Sequence, residues 1–270
     1  METTQEVPQG SDKKSSLYTP TTLIVPLPSG GKVYPVDSPL HGKTELAVRE
    51  MTASEEDLLT SVSLIRTGKA IDAVISACLL EKIDPDKLLV GDRNSVLIGL
   101  ILTSYGNEYE ADVTCPNCQE KTKGYKFDLN NLPVKDLGSE PLEIGKNEFE
   151  FVLPKSKIRV TFSLATSEDD REIRETVEKL KSATNSNAET NITTRLKKLI
   201  LSVNGDYAKG KVNELLERKM IPIKDSTALR NYIDSIQPDI DTMQEFVCKH
   251  CGQHTAINMP IGFDFFWRTK

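Results

Sequence analysis

The chain has 270 residues, 38% of them hydrophobic and 27% charged, with a formal net charge of −6. That length allows one large domain or two small ones with ample material for a core, no apolar run approaches the roughly 18 residues of a membrane helix, and charges of both signs are interspersed with no basic stripe for nucleic acid. The expectation is a soluble globular protein without membrane or nucleic-acid partners, and Met1-Glu2-Thr3-Thr4-Gln5-Glu6 lacks a targeting pattern, which places the chain in the cytoplasm where it is made.

Residues 1 to 19 are polar, with nothing to bury, and read as a flexible tail. Leu23-Ile24-Val25-Pro26-Leu27-Pro28 and Lys32-Val33-Tyr34 flank Ser29-Gly30-Gly31, a hairpin pattern whose prolines suit an edge strand, where a partner can dock. Glu45 to Met51 alternates as a further strand, and Thr52 with the acidic run Glu55-Glu56-Asp57 starts a helix through Ile65. Helices are expected over Ala70 to Glu81 and from Asp92 to Tyr105-Gly106, the second burying Val96, Leu97, Gly99, Leu100 and Leu102 as a stripe.

Glu108 to Thr114, Gly124 to Leu129, Glu148 to Leu153 and Lys157 to Phe162 alternate with period two, so residues 107 to 165 read mostly as antiparallel sheet. Ser167-Glu168-Asp169-Asp170 caps a charged helix through Ser182, Thr184 to Glu189 is a linker, and helices are expected over Thr193 to Leu201, Asn213 to Lys219 and Ser226 to Ile236. Glu245-Phe246-Val247 and His254-Thr255-Ala256-Ile257 are strands, and Phe263, Phe265 and Trp267 share one face of a terminal strand, for the core or for a partner interface. The fold class is α+β, antiparallel strands with packed helices. It divides into a tail (1–19), an α+β region (20–165), an inserted helical block (166–240) and a closing hairpin with an aromatic strand (241–270).

Four of the five cysteines fall in two CxxC pairs, Cys115-Pro116-Asn117-Cys118 and Cys248-Lys249-His250-Cys251. Each pair offers two thiolates on one side of a tight turn, and two such turns complete a closed four-thiolate zinc shell with no position left for substrate, the mark of a structural metal. Residues 119 to 247 separate the pairs, so they must meet in three dimensions, as two hairpins facing across one ion. Zinc in that position fastens the end of the helical block back to its start, joining the chain into one domain. Two other readings stand beside it. A redox CxxC needs the start of an amphipathic helix in a thioredoxin-like setting, which neither motif has, and a pair of disulfides needs an oxidising compartment. His250 and His254 offer imidazoles beside the second pair, and Cys78 lies on an apolar helical stretch as a small buried hydrophobe.

Catalytic sets fail on their residue requirements. Gly42-Lys43-Thr44 ends like a phosphate-binding loop, but Asp37 stands where that loop needs glycine. No GxSxG or HExxH occurs, and two of the three histidines lie at the second CxxC. Asp169-Asp170 serves a helix dipole, and Asp92-Arg93 is expected to cap a helix and form an ion pair. No enzymatic activity and no small-molecule substrate are expected. A zinc-ribbon nucleic-acid binder needs a basic face, and only Lys121, Lys123, Lys126 and Lys249 are near the cysteines; a metal hydrolase needs an open coordination position, which four thiolates close.

One order of motifs carries a family resemblance: Leu27-Pro28-Ser29-Gly30-Gly31-Lys32-Val33-Tyr34, then Val48-Arg49-Glu50-Met51-Thr52-Ala53-Ser54-Glu55-Glu56, then Gly91-Asp92-Arg93-Asn94-Ser95-Val96-Leu97-Ile98. Ser104-Tyr105-Gly106-Asn107-Glu108-Tyr109 and Val113-Thr114-Cys115-Pro116-Asn117-Cys118 continue it. This order resembles the baseplate proteins of T4-like myoviruses, a family that includes baseplate hub subunits of contractile-tailed phages. The resemblance implies a non-enzymatic role among other baseplate and hub proteins. That role is either a structural part of the hub in the virion tail or a hub assembly factor acting in the cytoplasm of an infected bacterium.

Overall fold

The structure, a computed structural model, describes residues 19–184, 191–217 and 221–259. The expected tail before residue 19, the linker after Thr184, the end of the helix expected to reach Lys219 and the aromatic terminal strand lie outside the described residues. Among the described residues the class is α+β, with every ladder antiparallel and the strands in small sheets. No described helix is long and apolar enough to cross a membrane.

The first strand, β1 (Thr22–Pro26), does not pair with the residues after the glycines. It pairs with β2 (Glu45–Arg49), Val25 opposite Leu46, and Leu27 N–H donates to Thr44 at 2.7 Å. Between them residues 28 to 44 fold as a compact loop. Gly31 has φ +69°, its carbonyl accepts from Gly42 N–H at 3.1 Å, and a Cβ there would lie 2.4 Å from Lys43 N. Only glycine fits both the left-handed backbone and the close approach, so Ser29-Gly30-Gly31 marks a folded-in loop instead of a hairpin turn. Tyr34 and Leu40 of this loop are buried.

The helix expected from Thr52 to Ile65 is broken at Ser61 into α1 (Ala53–Thr60) and α2 (Val62–Arg66). Its start is as expected: Thr52 and Glu55 form a capping box, and Glu55 also takes the Arg49 guanidinium at 2.8 Å. The next helix, α3 (Ala70–Cys78), stops three residues short of the expectation. Cys78 is fully buried, and loss of solvent pushes its thiol up to about 11, as suits a packing residue.

The centre of the molecule is α4 (Val90–Tyr105). Ser95 through Ile101 are all buried, so this helix is enclosed around its circumference and not along the single expected stripe. Gly91 allows its first turn to touch another segment: a Cβ there would meet Pro238 O at 1.9 Å. Asp92 neither caps this helix nor joins Arg93 in an ion pair. Its fully buried carboxylate accepts from Ser29 N–H at 2.9 Å and from the Tyr34 hydroxyl, which in turn accepts from Leu89 N–H at 2.9 Å. Burial pushes the Asp92 carboxyl upward, against the opposing pull of these donors, so the loop after β1 is pinned to α4 by a carboxylate taken out of water. Arg93 instead pairs with Asp72 of α3 at 2.9 Å.

After α4 come β3 (Glu108–Thr114) and β4 (Lys121–Asp128), a hairpin, then β5 (Val134–Lys135), β6 (Phe149–Val152) and β7 (Arg159–Phe162). A long helix, α5 (Ser167–Thr184), follows; Thr166 N–H donates to Asp169 at 3.1 Å, so Asp169 of the paired carboxylates serves the helix start, while Asp170 pairs with Arg174 one turn on at 3.1 Å. Arg171 of α5 reaches Asp72 at 3.0 Å and grips both oxygens of Asp86 at 2.7 and 2.8 Å.

The stretch expected as helix from Thr193 to Leu201 changes character at Ile200. α6 (Asn191–Leu199) gives way to β8 (Ile200–Val203), which adds to β7 as the third strand of the β6-β7-β8 sheet. Ile200 to Val203 takes the strand because it pairs with β7 there and buries Ile200 and Ser202 against the core. α7 (Lys209–Glu217) and α8 (Ile223–Ile236) come next. The chain then returns through β9 (Asp239–Ile240), paired with β5, to the second hairpin, β10 (Met243–Val247) and β11 (His254–Asn258).

Candidate metal centre

Both CxxC motifs sit at hairpin ends, and the two turns are built alike. In the β3–β4 hairpin Cys115 N–H donates to Glu120 O at 2.9 Å and Gln119 N–H to Cys115 O at 3.0 Å. In the β10–β11 hairpin Cys248 N–H donates to Gln253 O at 3.0 Å and Gly252 N–H to Cys248 O at 2.9 Å. The residue four after the leading cysteine is left-handed in each, Gln119 at φ 62° and Gly252 at φ 68°. That bend turns both thiols of a pair to the same side.

The two hairpins face each other. Cys115 Sγ lies 3.8 Å from Cys251 Sγ, Cys118 Sγ lies 3.7 Å from Cys248 Sγ, and all four sulfurs are within 4.8 Å of one another. A zinc–thiolate bond of about 2.3 Å requires tetrahedral sulfurs about 3.8 Å apart, so the donor set fits a closed tetrahedral shell. The separations are far beyond the roughly 2.05 Å of a disulfide, and all five cysteines are free thiols. Cys115 and Cys248 are buried, Cys118 is half-buried and Cys251 is exposed; the set opens at one corner of the surface.

Backbone N–H groups aim at the sulfurs and prepare them for negative charge. The Cys118 and Asn117 amides hold the Cys115 thiol below its ordinary value. The Gln253 amide, helped by the Asn117 side chain, brings Cys251 down to about 6. The Glu120 amide works in the same sense on Cys118, but desolvation and the three facing sulfurs outweigh it and hold that thiol at about 12. One sulfur thus ionises readily while another keeps its proton against crowded negative neighbours. A divalent cation removes that conflict by replacing protons with its own charge.

Among the described residues the group that can hold a metal contains the four thiols and no imidazole. His254 is exposed and its Nδ1 lies 2.7 Å from Glu245 Oε1. Neighbouring contacts that sequence reasoning did not find lock the hairpins together. The Tyr125 ring meets Phe246 edge to face at 5.0 Å, and its hydroxyl donates to Glu245 O at 3.0 Å. Gln244 and the Asp128 backbone exchange bonds of 2.6 and 3.2 Å. Period-two alternation places these residues on strands but carries no sign of which strand lies opposite. The second turn did carry a signal, the glycine that directly follows Cys251, whereas Gln119 takes the same left-handed position in the first.

The sequence matches the family described as "T4 bacteriophage base plate protein" over residues 20–267. No curated protein and no solved structure matches the chain.

Proposed function

Because the chain belongs to the T4 bacteriophage base plate protein family, we propose that it is a non-enzymatic structural component of the phage tail, acting in the hub of the baseplate through contacts with other baseplate proteins. The family match over nearly the whole chain carries this reading. The metal centre supports it from the side of chemistry. The four cysteine sulfurs of two matched turns lie close enough to hold one metal ion; as thiolates around zinc they would close a tetrahedral shell and leave no position for a reacting water. Cys115, Cys118, Cys248 and Cys251 would then tie β3–β4 to β10–β11, the chain on either side of α5 to α8, through the ion they hold.

Mass spectrometry of purified virions and of tagged protein captured from infected cells tests the role. Presence in virions beside other baseplate proteins is expected. Absence from virions, with hub proteins captured only in cells, would make it an assembly factor that leaves, and no tail protein in either sample would end the reading.

A further inference from the structure

Helices α5, α6 and α8 enclose a cleft of about 380 Å³ with an apolar floor of Ile173, Leu196 and Ile233. Each helix adds an arginine to its wall, Arg174, Arg195 and Arg230 respectively. Ile192 and Leu199 of the lining stand three before and four after Arg195, and Ile233 three after Arg230, so each of these two arginines shares a helix face with apolar neighbours. The cleft also holds two carboxylates, Asp170 and Asp234. Arg174 is committed, pairing with Asp170 at 3.1 Å from the exposed rim. The deeper pair is not. Neither Arg195 nor Arg230 has an ion pair among the described residues, and both are half-buried. Arg230 donates from one terminal nitrogen to Thr227 Oγ1 at 3.3 Å, while its Nε is buried with no hydrogen-bond partner.

Guanidinium groups line this cleft, and a carboxylate is their natural complement, since it accepts two parallel bonds. We infer that this cleft binds an acidic segment of a neighbouring baseplate protein, its carboxylate on Arg195 and Arg230 and an adjoining apolar side chain on the floor. Charge complementarity selects the occupant: three arginines stand in the cleft lining against two carboxylates, so the cleft takes up negative charge. The apolar floor selects a peptide over a bare anion, because it gives an aliphatic or aromatic side chain area to bury.

The inference rests on the docking role proposed above. Its test presents the purified full-length chain to an array of overlapping peptides from the other tail proteins of the same phage. Retained peptides should carry Asp or Glu next to an apolar residue. Arg195→Gln and Arg230→Gln should each weaken retention about tenfold or more, the loss of one charge-assisted hydrogen bond. Arg195→Glu should release the acidic peptides and retain versions with Lys in place of the acid, a swap that an unfolded variant cannot produce. No acidic peptide retained, retention indifferent to these substitutions, or arginine-dependent binding of single-stranded DNA or inorganic phosphate in place of peptides would each overturn the proposal. Absence of the protein from virions would remove the structural role while leaving a positive peptide result standing, so the two fail separately.

Discussion

Replacing Cys248 with serine is expected to destabilise the whole chain and not only the second turn. Cys118 and Cys248 are 130 positions apart, so an unfolded chain must close a loop of that length before both pairs can grip one ion. Chain entropy puts that closure at about 5 kcal/mol at 25 °C. The folded hairpins present the four sulfurs with the closure already made, so a metal that binds all four favours the folded state by at least that order. Typical domain stabilities are about 5–15 kcal/mol, and the effect is therefore large. Equilibrium urea unfolding of parent and Cys248→Ser, each with zinc and with chelator, measures it. The parent should lose about 5 kcal/mol on chelation, and the variant should resemble the chelated parent in both conditions. Amide exchange should also rise in β5, β9, β10 and β11, well beyond the altered turn. Equal midpoints in all four samples would refute the reasoning.

Three further outcomes follow from the fold. Glu55 is held down to about 2 from 4.5, first by Arg49 and then by the Thr52 cap; a depressed carboxyl adds stability above its unfolded value and loses it as pH falls toward the folded one. Acid titration should remove about 3 kcal/mol between those limits in the parent, and Glu55→Gln should flatten that part of the curve. Tyr34→Phe takes a donor from buried Asp92 and an acceptor from Leu89 N–H, and should cost about 1–3 kcal/mol in urea unfolding. Gly91→Ala drives a methyl into Pro238 O. It should cost about 3 kcal/mol or more, whereas Gly210→Ala, inside α7 with nothing within 4 Å of its Cβ, should melt no lower than the parent and gain up to about 1 kcal/mol of helix propensity.

Much of the metal centre was legible in the sequence. Two half-shells of ligands predict one whole shell, whatever the distance between them, because a single CxxC cannot complete tetrahedral coordination. The strands around the pairs were legible too, since they alternate with one face buried. The misreadings share a physical origin. Ser29-Gly30-Gly31 has the local chemistry of a hairpin turn, and only its packing against Leu40 and Gly42 shows that the glycines serve a close approach. Asp92 looks like a helix-start residue, yet its partners Ser29 and Tyr34 lie 63 and 58 positions away. Ile200 and Leu201 extend the helical pattern that begins at Thr193, until β7 offers them a ladder. Local pattern states what a segment can be, and distant partners decide among the options.

Native mass spectrometry of the purified full-length protein tests the four-thiolate centre most directly. The account predicts a mass greater than the free chain by one zinc ion, lost on chelation, on acidification and in the double variant Cys115→Ser/Cys248→Ser. A metal-free mass that added zinc leaves unchanged, or one lower by the four hydrogens of two disulfides, would contradict it.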